Sequence, residues 1–133
     1  MSRESSGTEA VLTAAAASAS KKAMDIIILD VSARLVITDH FLICSGNTDR
    51  QVRTIAEEVE RRMGEEMGRK PVRREGMQDG RWVVLDFIDF VVHVFRKEER
   101  EYYELERLWS DVPVVPFHDE HEERNEPAAA EAT

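Results

Sequence analysis

Cysteine is nearly absent: Cys44 is the one thiol among 133 residues. A single cysteine forms no internal disulfide and supplies no cysteine-rich zinc site. Bases are in deficit, 18 against 27 acids. The resulting net charge of -9 excludes a surface that binds nucleic acid or anionic membrane over its whole extent, though not a local basic stripe. Long apolar runs are missing. Ile26–Leu29, Phe41–Cys44, Val83–Leu85 and Phe90–Val92 are strand-sized, far short of the ~18–20 residues of a membrane span. No charged segment leads into an apolar stretch at the N-terminus, so no signal peptide is expected. A soluble, cytoplasmic protein without a membrane partner is the expectation. Only six glycines occur, and none builds a phosphate-cradling loop.

What is present suits one globular domain. Hydrophobic residues make up 42%, and a chain this long buries roughly 65–70% of its unfolded surface. Residues 1–7 are polar and expected to be flexible. The alanine-rich segment from Thr8 to Met24 reads as a helix capped by Thr8. Its thin apolar face predicts weak packing. Residues 25–31 and 41–44 are short β-branched or apolar runs, the pattern of buried strands.

Thr48 with Gln51 three positions on reads as a helix N-cap with its capping box. Val52, Ile55, Ala56, Val59 and Met63 then form one helical stripe that declines at Gly64 and Gly68. Pro71–Glu75 predicts an edge strand. Residues 82–87 and 90–95 predict a hairpin across Ile88-Asp89, and Arg96–Trp109 a last helix. The domain is therefore placed at 8–117. Residues 118–133 carry six acids and one base and are expected to be a disordered acidic tail. The expected fold is α/β, a single domain with a mixed sheet of about five strands flanked by helices.

No catalytic set emerges. Asp86 and Asp89 flank a turn, where aspartate is common for conformational reasons; a metal pair for nucleotidyl transfer is the lesser reading. His93 lies inside an apolar strand without an identifiable partner, and Cys44 reads as core. The bases from Arg50 to Arg74 are interleaved with five glutamates, first of all a solvated face, with peripheral RNA contact kept open. Strand alternation is more informative. It puts Trp82, Val84 and Asp86 on one face and the better core set, Val83, Leu85 and Phe87, on the other. A part-exposed tryptophan is the usual anchor of an interface. Covering by a helix is the equal alternative.

Residues 25–31 (DIIILDV), 38–53 (TDHFLICSGNTDRQVR), 82–95 (WVVLDFIDFVVHVF) and 97–111 (KEEREYYELERLWSD) resemble the ribosomal silencing factor, or Iojap-related, family. The resemblance implies a nucleotidyltransferase-like fold without the catalytic set, no enzymatic activity and no cofactor or metal. It implies binding to the large ribosomal subunit through the interface ribosomal protein numbered fourteen. The bound factor would block joining of the small subunit and so repress translation when nutrients are limiting. Homodimers are implied for the free protein. By position, Trp82 matches the family tryptophan on the partner-binding face, next to Val84. Tyr103 matches the tyrosine of the Y-x-L-E-x-L-W segment, and Asp89 and His93 match a D-x-x-x-H pattern. Ile88 departs from the resemblance, standing where many members have glycine at a tight turn.

Overall fold

The structure, a computed structural model, describes residues 3–119. The expected tail therefore lies, from residue 120 on, outside the described residues. The elements in chain order are α1 (Arg3–Ser20), β1 (Met24–Asp30), β2 (His40–Gly46), α2 (Asp49–Met67), β3 (Arg73–Glu75), β4 (Trp82–Asp86), β5 (Phe90–Arg96), α3 (Lys97–Tyr103), α4 (Leu105–Leu108) and β6 (Val114–Val115). The strands form one six-stranded sheet in the order β3-β4-β5-β2-β1-β6. Among the described residues only β2 and β5 pair in parallel. That pairing requires a crossover, which α2 supplies together with β3 and β4. The fold is mixed α/β, as the sequence implies, with six strands rather than about five. No helix among the described residues is long and apolar enough to cross a membrane.

The best-encoded element is α2. Thr48 Oγ1 accepts from Gln51 N at 3.0 Å, and Gln51 Oε1 accepts from Asn47 N at 2.7 Å. The helix stops where Gly68 turns to φ 65°, and the Gly68 and Arg69 amides donate to Gly64 O and Met63 O. Its predicted stripe, Val52, Ile55, Ala56, Val59 and Met63, is fully buried. At the other extreme, β3 is short, charged and exposed, and β6 holds two residues between Pro113 and Pro116; both blunt the edges of the sheet.

Three expectations are corrected. First, α1 begins at Arg3, so Thr8 lies inside the helix and caps nothing, and residues 3–7 of the expected flexible segment belong to α1. Nor does α1 pack weakly. Ala10, Val11, Ala14, Ala15 and Ala17 are sealed against the helix-side core. An alanine methyl is excluded from water only where neighbouring groups close directly over it, so the thin face is a means of close approach. Second, the expected last helix is broken. Glu104 adopts φ 48° between α3 and α4, which re-aims the chain. Third, β6 adds a strand at the β1 edge, with Val114 and Val115 opposite Leu29 and Ile28.

The two faces of the sheet differ. The face carrying Ile28, Leu42, Cys44, Val83, Leu85, Phe90, Val92 and Val94 is covered by α1 and α2. The opposite face carries a smaller cluster around Leu29, Ile43 and Phe95. It is covered only in part, by Leu105, Trp109 and Val112 of the C-terminal segment.

Candidate partner-binding face

Register brings the sequence-predicted residues together on the second face. Trp82 lies opposite Phe95, and Val84 opposite His93. The alternation holds along β4: Trp82, Val84 and Asp86 are partly exposed, Val83 and Leu85 buried. The Trp82 ring stacks on Phe95 with centroids 4.7 Å apart and meets Tyr103, from the end of α3, at 4.9 Å. Of the two readings of Trp82, cover by a helix is met in part. A helix end touches it, yet the indole keeps an accessible edge beside the exposed Tyr102 and half-exposed Tyr103.

Trp82 Nε1–H donates to His93 Nδ1 at 3.2 Å. Burial pushes the imidazole down to a pKa of about 4, so His93 is neutral near pH 7. A neutral imidazole that accepts at Nδ1 carries its proton on Nε2. That atom is buried and has no hydrogen-bond partner. Phe41 meets the imidazole edge-on at 5.1 Å, the Phe41 and Trp109 rings meet edge-on at 5.2 Å, and the Arg34 guanidinium lies 4.7 Å above the Trp109 ring.

Asp89 stands apart from this group. It sits in the β4–β5 loop and is held by a bidentate ion pair with Arg69, which also donates to Phe87 O at 2.6 Å. Asp86 Oδ1 accepts from Ile88 N at 2.8 Å. Each carboxylate is thus engaged locally. Ile88 occupies the loop at φ 80°, a conformation that hairpin loops of this length normally assign to glycine. The turn forms nonetheless, with Phe87 and Phe90 closing it through a 2.9 Å hydrogen bond and stacked rings. Cys44 is buried, and desolvation pushes its thiol up to about 12, far from a nucleophile's range. Much of the basic stretch is spent on its own glutamates: Arg61 on Glu58 and Glu65, Arg62 on Glu58 and Glu66, Arg74 on Glu60.

Phe41 and Phe95 were not singled out by sequence. The strand period would have placed Phe41 and Phe95 beside His93, given the β2–β5 register. Leu105 and Trp109 reach the face only because the chain breaks at Glu104. Separately, a cleft of about 510 Å³ opens between the start of β1 and the α3–α4 segment. On it Arg100 donates to Ser45 Oγ at 2.8 Å and to Glu106 Oε2 at 3.0 Å, fastening that segment to β2.

The family described as "Ribosomal silencing factor during starvation" matches residues 4–133. This chain belongs to the ribosomal silencing factor family. A Bacillus subtilis ribosomal silencing factor is 48% identical over 102 residues, covering 77% of this chain and 86% of its relative. A mouse protein named for mitochondrial assembly of the ribosomal large subunit is 32% identical over 92 residues, 68% of this chain and 40% of its own length. A crystal structure from Bacillus halodurans superimposes with a TM-score of 0.72 at 41% identity, covering 83% of this chain and 99% of that one. A Chromobacterium violaceum structure gives 0.75 at 32% identity, with 85% and 94% covered. The strings that carried the resemblance in the sequence thus identify the family correctly.

Proposed function

We propose that this silencing factor binds the large ribosomal subunit through a ribosomal protein at the subunit interface and sterically prevents the small subunit from joining. Translation falls as a result, in the cytoplasm and under nutrient limitation. The observation that supports this reading is the half-covered aromatic face around Trp82, in a chain whose net charge of -9 suits a protein partner better than bare RNA. A steric blocker needs an apolar patch of about 800 Å² per partner and no reacting groups. Trp82 is its anchor, Val84, His93 and Tyr103 surround it, and Asp89 marks its margin. Any rRNA contact is peripheral, and the free protein is expected to be a homodimer.

The test is subunit joining. Purified large subunits are preincubated with the protein, small subunits are added, and particles are separated on a density gradient. Joining should fall with dose while the protein travels with the large subunit. Trp82→Glu should weaken that binding by about 2 kcal/mol or more, because it removes an anchor and brings a charge to a drying surface. A folded variant that binds like wild type would refute the anchor assignment. The mouse relative's name supports a second reading, a large-subunit assembly role. Under it the protein would bind large subunits yet leave joining normal. A nucleotidyltransferase-like activity is the remaining alternative; Mg²⁺-dependent nucleotide binding lost in Asp86→Asn would support it.

A further inference from the structure

Two observations converge on His93. It is the hydrogen-bond acceptor of the Trp82 indole, and its own Nε2 is buried without a partner. A buried imidazole with one unpartnered nitrogen costs stability that a leucine in the same place would not. Phe41, Phe95 and Trp82 surround the ring with apolar surface, so nothing in the packing calls for a polar group there. What the imidazole supplies is direction. Stacking on Phe95 sets the indole's plane, and a half-turn about Cβ–Cγ would keep that plane while exchanging its edges. The bond from Nε1–H to Nδ1 selects one of the two orientations.

We propose that His93 is a positioning residue: through Nδ1 it sets the edge that Trp82 presents to its partner. The inference rests on the reading of this face as the partner-binding face. His93 stays neutral at working pH, as an acceptor must. At 8% exposed, the imidazole itself offers little surface for contact. His93→Leu keeps the volume and removes the acceptor. His93→Asn returns an acceptor oxygen near the position of Nδ1.

The experiment uses the full chain labelled with ¹⁵N at its tryptophans. It reads the Trp82 indole N–H resonance by NMR, with Trp109 as internal reference, and binding to purified large ribosomal subunits. In His93→Leu the Trp82 signal should move upfield and exchange faster with solvent, while the Trp109 signal stays. Affinity should fall about five- to tenfold, the scale of one hydrogen bond. His93→Asn should restore most of both. An unchanged Trp82 resonance in His93→Leu overturns the proposal and leaves the reading of the face intact. So does a shifted resonance with undiminished binding, provided Trp82→Ala binds weakly. If Trp82→Ala also binds like wild type, the face itself is misassigned and the proposal falls with it.

Discussion

On β4, Leu85 is sealed beneath the helices while Val84, its chain neighbour, stays partly exposed on the other side of the sheet. The same contrast runs across the domain. One face is closed by two long helices and by mainly aliphatic and phenylalanine side chains, with the buried Ser18 hydroxyl donating to Ala15 O at 2.7 Å. The other is closed loosely by short helices with no buried residue of their own and holds Trp82, His93, Tyr103 and Trp109. The first face is built for stability. The second keeps apolar surface available, at the expense of stability, and spends a buried imidazole on orienting a ring.

The contrast breaks most clearly by truncation. Leu85→Ala should cost about 2–5 kcal/mol in denaturant unfolding, whereas Val84→Ala should cost under about 1 kcal/mol. Equal losses would show that both faces carry the fold.

Acid sharpens the difference, because the open face holds the displaced imidazole. Its ordinary pKa of 6.5 falls to about 4 in the native state, so the unfolded chain takes up the proton first as pH drops. The contribution is fully present above pH 6.5 and decays between there and pH 4, by roughly 3 kcal/mol in all. The stability difference between wild type and His93→Leu, followed by urea titration across that window, should show this slope. A pH-independent difference would mean the imidazole is solvated.

The smallest effect belongs to the loop joining β4 and β5. Ile88 is held at positive φ and is largely exposed, so its β-branched side chain pays strain for little burial. Ile88→Gly should raise stability by about 1 kcal/mol in thermal unfolding.

What could be read beforehand follows how local each cause is. The Thr48–Gln51 cap and the stripe to Met63 are complete within one segment, and α2 appears where they place it. The β4 alternation is equally local, so the facing of Trp82 and Val84 was legible. Beyond that the causes are long-range. The stretch Lys97–Trp109 is rich in good helix formers and has neither glycine nor proline. Its break at Glu104 answers to Tyr103 meeting Trp82 and to Leu105 and Trp109 docking on the sheet. Val114–Val115 is too short to signal a strand, and it becomes one only against β1. The burial of the α1 alanines depends on how near α2 comes, which side-chain size permits but no periodicity announces. Of the candidate site, Trp82, Val84, His93 and Tyr103 converge, while Asp89 is drawn to Arg69, twenty positions away in the chain.

The parallel pairing of β2 with β5 bears on how the chain assembles. β1 with β2, and β4 with β5, are hairpins whose partners are close in sequence, so each can form early and by itself. Joining β2 to β5 must await the return of the chain through α2, which closes the longest loop between neighbouring central strands. The kinetic barrier is therefore expected at that seam. Leu42→Ala, inside it, should slow refolding more than Ile28→Ala for an equal loss of stability, as stopped-flow rates would show. Until the seam closes, each half exposes a strand edge that the finished sheet hides, and the nascent protein is most open to mispairing there.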